Sequence, residues 1–182
     1  MFDVEQFVAD CRAALVEQHP AVAVKEILER ALSDPAAIDK VLGSPDRGGI
    51  VPLHRSDELT VLQIVWPPRV RLFPHDHQMW AAIGIYGGRE DNTFYRRGPG
   101  GIVRSGGKAL EAGDVAVLGR DVIHSVDNPG GTYTAAIHVY GGDFFATPRS
   151  EWDPDTLVEK PFDVEHTKRV LAEADAAASS RT

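Results

Sequence analysis

Residues Gly113 to Asn128 read GDVAVLGRDVIHSVDN, and the architecture of the chain turns on how this stretch is read. A Gly-Asp turn leads into the apolar run from Val115 to Leu118. A second turn follows at Gly119-Arg120, and the next strand carries His124 inward and ends near Asn128. Turn residues alternating with short β-branched runs specify antiparallel strands. Outward from here the same texture recurs in TVLQIVW (60–66), AAIGIYGG (81–88), NTFYRR (92–97), GIVRSGG (101–107) and YTAAIHVYGG (133–142). From Ile50 to Phe145 the reading is therefore strand and turn, at the spacing of an antiparallel barrel or sandwich.

Toward the N-terminus the periodicity changes. Phe7, Val8, Cys11, Ala14 and Leu15, then Val24, Ile27, Leu28, Ala31 and Leu32, recur at three and four residues, as in amphipathic helices that cover a core. Ser33-Asp34-Pro35 predicts a third short helix that stops at Gly43. A closing helix is expected over 163–174, followed by a frayed tail, DAAASSRT. The expected organisation is a single domain over 1–182: helical decoration at 1–45, barrel at 50–147 and C-terminal extension at 148–182. At 43% hydrophobic and 25% charged, 182 residues can bury a substantial core. The net charge of −8 argues against a nucleic-acid partner. One cysteine, Cys11, allows no internal disulfide, and no apolar run approaches a membrane span. The expectation is a cytoplasmic protein without a membrane partner, its oligomeric state open.

The stretch PHDHQMW, Pro74 to Trp80, holds two of the seven histidines one residue apart. In a strand, His75 and His77 share a face and Asp76 points away, so two imidazoles can meet at one ion. H-x-H followed by the Gly113–Asn128 block resembles the two-motif signature of the cupins, small jelly-roll barrels with a metal in the barrel mouth. The resemblance implies an all-β double-stranded β-helix barrel with N-terminal helices and a short C-terminal helix. It also implies His124 as third ligand beside His75 and His77. The usual cupin glutamate after the second histidine is absent, since those positions are Ala81 and Ala82. Glu90, past the Gly87-Gly88 turn, reads as a salt-bridging or turn residue. Three neutral imidazoles leave a dication uncompensated with positions free, which suits iron(II) better than structural zinc. Nickel and manganese suit the same ligands.

Cupins with three histidines and no such glutamate include the thiol dioxygenases, and AAIHVYGGDF resembles their Ser-x-His-x-Tyr strand, with Ala136 in the serine position. The resemblance implies His138 and Tyr140 as a hydrogen-bonded pair facing the substrate, with Thr134 or water replacing the missing serine hydroxyl. HDHQMWAAIGIYGGRE is similar to the bacterial 3-mercaptopropionate dioxygenases, whose carboxylate-binding arginine lies nine residues past the pocket tyrosine. That position here is Arg149. Trp80 is a candidate substrate contact, and Ile83, Ile85 and Phe144 are candidate walls. No cysteine stands at Ala82, so the resemblance implies an unmodified Tyr140 phenol. His19 and His166 read as solvated, His54 as an entrance residue, Arg55 as an alternative carboxylate partner, and Asp114 and Asn128 as turn and strand-end hydrogen-bonders.

The function this implies is a mononuclear iron(II) dioxygenase converting the thiol of a small mercapto acid to a sulfinate with O2. Two alternatives stand beside it. One is another three-histidine cupin oxygenase, for instance one that cleaves a β-diketone; the other is a non-catalytic ligand-binding cupin.

Overall fold

The computed structural model describes residues 1–180. Three helices open the chain: α1 Val4–Ala13, α2 Pro20–Ala31 and α3 Pro35–Leu42. Their ends follow local chemistry. Asp3 and Asp34 accept the backbone N–H groups of Gln6 and Ala37 at 2.8 and 3.1 Å, and Gly43 ends α3 at φ +85°. Phe7, Cys11, Val24, Leu28 and Ile38 point from these helices into one buried layer.

Eleven strands follow: β1 Gly49–Arg55, β2 Thr60–Trp66, β3 Arg71–Asp76, β4 Ala81–Gly87, β5 Arg89–Gly98, β6 Gly101–Glu111, β7 Val115–Leu118, β8 Ile123–Asp127, β9 Thr134–Tyr140, β10 Ser150–Trp152 and β11 Glu159–Pro161. They form two antiparallel sheets, ordered β1-β2-β9-β4-β7 and β11-β10-β3-β8-β5-β6. Between β2 and β5 the chain changes sheet at every connection, so the two sheets enclose one interior. The short strands β10 and β11 lie within the segment read from sequence as a plain extension. Their pairing beside β3 extends the second sheet.

Strand parity divides the first sheet between two cores. On β2, Leu62, Ile64 and Trp66 face the barrel, whereas Val61 and Val65 face the helices. On β4, Ala81, Ile83 and Ile85 face in while Ala82 and Tyr86 face out. Helix α2 lies close on this outer face because Gly84 has no side chain. A Cβ there would come 2.9 Å from Leu32 Cδ1 and 3.1 Å from Leu28 Cδ2. The Cys11 thiol belongs to this layer, and burial, with Asp10 adding to it, raises its pKa to about 12.

Helix α4, Val164–Ser179, runs beyond the expected end at residue 174. Residues 175–180 of the supposed tail are therefore ordered, while Arg181 and Thr182 lie outside the described residues. Asp175 explains the extension, since it accepts from Gly48 N at 3.0 Å and from the Tyr133 hydroxyl at 3.1 Å. An alanine-rich run with high helix propensity is thereby tied to the barrel. Among the described residues no helix is long and apolar enough to cross a membrane.

Candidate metal centre

His75 near the end of β3 stands directly opposite His124 of β8 in the cross-strand register. Their rings are 4.6 Å apart, centroid to centroid. The ladder skips between Leu72 and His75, and Pro74, which has no N–H to donate, falls in that irregularity. His77 lies one residue past the strand, where Gln78 adopts φ +54°. The two histidines still converge, with ring centroids 5.0 Å apart. Asp76 turns the other way and accepts from Ser150 N and Gln78 Nε2, each at 2.8 Å. One ring nitrogen from each of His75, His77 and His124 lies within 4.8 Å of the others, so the three could hold a metal ion.

The backs of two of these rings are held. His75 Nδ1 meets the Phe73 carbonyl at 3.1 Å, and a carbonyl only accepts, so the Nε2 lone pair is free. His124 Nδ1 meets Asn92 Oδ1 at 2.6 Å, and its Nε2 lies 3.5 Å from His77 Nε2. Burial lowers the pKa of His75 to about 4 and holds His77 and His124 well below the ordinary imidazole range. At neutral pH all three are uncharged lone-pair donors, the form a divalent ion requires. Three buried neutral imidazoles whose ring nitrogens converge within 4.8 Å of one another fit a divalent cation.

His138 and Tyr140 follow each other at i and i+2 on β9, with His138 Nδ1 3.0 Å from the phenol oxygen. Tyr140 packs edge-on against His77, centroids 5.1 Å apart. Burial keeps His138 neutral, its pKa lowered to about 3, and raises that of Tyr140 so that it stays a phenol. Thr134 does not stand in for the absent serine, because its hydroxyl is engaged with the backbone N–H and carbonyl of Arg89. His138 Nε2 lies 4.0 Å from Glu90 Oε2.

Glu90 is neither an exposed turn residue nor one of the three-histidine group. It lies on β5, fully buried, and accepts from Trp66 Nε1 at 2.6 Å and Asn92 Nδ2 at 2.9 Å. The tight β4–β5 connection puts it there. Gly88 takes φ +78° where a Cβ would strike Thr134, 2.8 Å from its Cα.

Arg149 is 8% exposed and lies between the rings of Phe144 and Phe162, 4.2 and 3.9 Å from their centroids. Its Nη1 donates to the carbonyls of Phe144 and Thr147, while Nε and Nη2 are buried without a partner. The acids next to it in sequence are engaged elsewhere. Glu151 binds His166 and Lys160, and Asp153 accepts from Thr156. Burial accordingly lowers the pKa of Arg149, to about 10. It is a buried cation with two free donors.

Trp80 does not face the histidines. It falls on the outward parity of the β4 segment, packs with the helix-side layer, and rests on Gly141, where a Cβ would lie 2.0 Å from its Nε1. Ile83 and Ile85 face the barrel core, and Phe144 alone of the expected walls borders the histidines. His166, read as solvated, is half-buried: it stacks on Phe73 at 4.4 Å and bonds Glu151 Oε1 at 2.8 Å. His19 precedes α2, and His54 on β1 lies away from the three ligands with Nε2 buried and unpartnered. Arg55 is engaged by Asp143. Asp114 accepts from Glu111 N, and Asn128 donates to the carbonyls of Trp66, Pro67 and Thr132, as strand-end residues do.

The space enclosed by the three histidines, His138, Tyr140, Trp66, Phe144 and Phe162 is about 20 Å³, room for roughly one water. An interior closed by two interleaved antiparallel sheets has counterparts among solved structures. A Bacillus halodurans protein superposes with a TM-score of 0.50 at 14% identity, over 58% of this chain and 77% of that one. An RmlC-like cupin family protein with a double-stranded β-helix fold, from Methanocaldococcus jannaschii, gives 0.48 at 12% identity over 57% and 87%. The fold is the cupin double-stranded β-helix. The DMSP lyase DddQ from Ruegeria pomeroyi is similar at 17% identity and a TM-score of 0.47, over 60% of this chain and 54% of that one. No protein-family model matches the sequence. Within the cupin barrel, the sequence reading missed Glu90, Asn92 and Trp66. The spacing Glu90-x-Asn92 on a strand next to β8 was the available signal, because i and i+2 share a face.

Proposed function

We propose that this cupin is a mononuclear iron(II) dioxygenase that converts the thiol of a small mercapto acid to a sulfinate. The observation that carries the reading is Arg149, a buried guanidinium whose Nε and Nη2 have no partner among the described residues, stacked on Phe144 and Phe162, two of the rings that wall the chamber bearing three histidines and a phenol. A buried cation without an ion pair is costly, and a bidentate carboxylate would relieve that cost. An iron(II) ion on His75, His77 and His124 would supply Lewis acidity toward the thiol and the redox capacity that O2 requires. In the overall balance RSH and O2 give RSO2⁻ and H⁺, with both oxygen atoms on sulfur.

The chain's own groups would position the substrate. Arg149 holds the carboxylate and so fixes the distance from that end to the histidine face. Tyr140, kept protonated by burial, offers an O–H to a developing anionic oxygen, and His138 Nδ1 orients the phenol. The apolar walls from Ile50, Ile64, Leu72, Val126, Phe144 and Phe162 exclude water. A thiol acid exceeds the enclosed 20 Å³, so its admission requires the lining side chains to move. These same apolar walls favour a second reading, a three-histidine oxygenase of a neutral substrate such as a β-diketone.

Oxygen uptake by the iron(II)-loaded protein with 3-mercaptopropionate, cysteine, cysteamine and acetylacetone separates the two. The thiol reading expects uptake with a mercapto acid, coupled to sulfinate, and none with cysteamine. Uptake with acetylacetone alone would replace it by the second reading.

A further inference from the structure

A metal-binding imidazole must present a lone pair, and which ring nitrogen carries the proton is decided by the partner behind it. Behind His124 the partner is Asn92, an amide, which could turn either its oxygen or its NH2 toward the ring. By itself Asn92 therefore does not choose. Glu90 does: Oε2 takes the Trp66 indole N–H at 2.6 Å and Oε1 takes the Asn92 NH2 at 2.9 Å, two donated bonds that favour the ionised carboxylate against the burial that raises its pKa. That bond turns Asn92 Oδ1 to His124 Nδ1 at 2.6 Å. The four residues are buried: Trp66 3%, Glu90 0%, Asn92 5% and His124 1% exposed.

We propose that Glu90 acts through Asn92 as a positioning pair that locks the proton of His124 on Nδ1, so that Nε2 stands ready as a metal ligand. The direction of the whole relay follows from its two ends. Trp66 can only donate, and a carboxylate can only accept, so every bond runs one way, from donor to acceptor, toward Glu90. The relay rests on the metal-site reading only in giving the lone pair an ion to serve; the proton's position is a property of the metal-free protein. The same carboxylate lies 4.0 Å from His138 Nε2, so one buried group reaches a proposed ligand through Asn92 and stands beside the imidazole behind Tyr140.

An isosteric change reverses the relay. In Glu90→Gln the new amide still accepts from Trp66, but its NH2 now faces Asn92, whose amide must flip and offer NH2 to His124 Nδ1. The ring proton then moves to Nε2. Adding Asn92→Asp restores an acceptor at both contacts and returns the proton to Nδ1.

The test is ¹⁵N NMR of the imidazole nitrogens in the full-length metal-free protein, together with cobalt(II) titration, for wild type, Glu90→Gln and the double variant. Expected are Nδ1–H on His124 in wild type, Nε2–H in Glu90→Gln, and Nδ1–H again in the double variant. Cobalt(II) affinity should fall roughly 10- to 100-fold in Glu90→Gln and recover in the double variant. Nε2–H on His124 in the wild type would overturn the proposal whether or not either variant folds. So would an unmoved proton in Glu90→Gln, or no recovery in the double variant. The expected proton shifts with no cobalt(II) binding in the wild type would leave the relay standing and sink the metal reading instead.

Discussion

The two faces of one sheet differ in what they bury. Toward the helices, Ala135, Ile137 and Val139 of β9 meet Leu28, Leu32 and Ile38, and the buried polar chemistry reduces to Gln63 bonding the Tyr86 hydroxyl at 2.7 Å. Toward the barrel, the alternate residues of the same strand are Ala136, His138 and Tyr140, opposite three more histidines, Glu90 and Asn92. Strand parity lets seven residues serve stability and chemistry at once. The helical layer supplies apolar burial that holds the sheet rigid, and the barrel face can then bear polar groups that cost stability.

This division can be broken from either side. The largest effect is expected from His124→Ala, which should abolish stoichiometric metal binding, measured by metal analysis after loading with iron(II), while the thermal transition persists. Leu28→Ala should do the converse. Loss of a fully buried leucine is expected to lower stability by about 2–5 kcal/mol in denaturant unfolding, with metal stoichiometry unchanged. A Leu28→Ala protein that lost metal as well would show that the two cores are not independent.

Smaller effects sharpen the barrel side. If Arg149 holds a carboxylate, Arg149→Ala should raise KM for a mercapto acid roughly 10- to 100-fold, the worth of one charge-assisted contact, with kcat less affected. Arg149→Lys should not restore it, lacking the planar fork. An unchanged KM would remove Arg149 from the site.

The pH profile of the metal-free protein adds a further measure. His75 and His138 have folded pKa values lowered to about 4 and about 3, so below the unfolded value near 6.5 the unfolded chain binds more protons. Their contribution to stability is full above pH 6.5 and is lost as pH falls toward 4. Chemical denaturation at pH 7.5 and 5 should therefore show a lower midpoint at pH 5, and His138→Gln should flatten the difference. The smallest effect is expected at the surface, where Arg55→Ala, breaking the exposed pair with Asp143, should leave the melting temperature unchanged.

Much of this was legible from residues alone, for reasons that differ by element. Asp34-Pro35 with Gly43 marked α3 because caps act locally. His75, His77 and His124 could be grouped because short-range spacing and a recurrent two-block pattern both pointed at them. Glu90 was legible only as a residue in the wrong place for a ligand, since its partner Trp66 is brought to it by β2 of the other sheet, and only Asn92, two residues on along β5, is a neighbour in sequence. His166 read as solvated from the charges around it, yet Phe73, far away in sequence, stacks on one ring face and Glu151 bonds its Nδ1. Trp80 could be named but not oriented, because one residue of register decides whether it faces chamber or helix.

Cys11 lies within the helical layer, fully buried, its thiol held protonated. It is the chain's only sulfhydryl, and the sheet separates it from the histidines of the barrel face. A thiol-reactive dye would thus modify the native protein only when the helices swing away from the sheet. Its labelling rate would time that opening as a stopwatch fitted at one position, with the barrel contributing no signal.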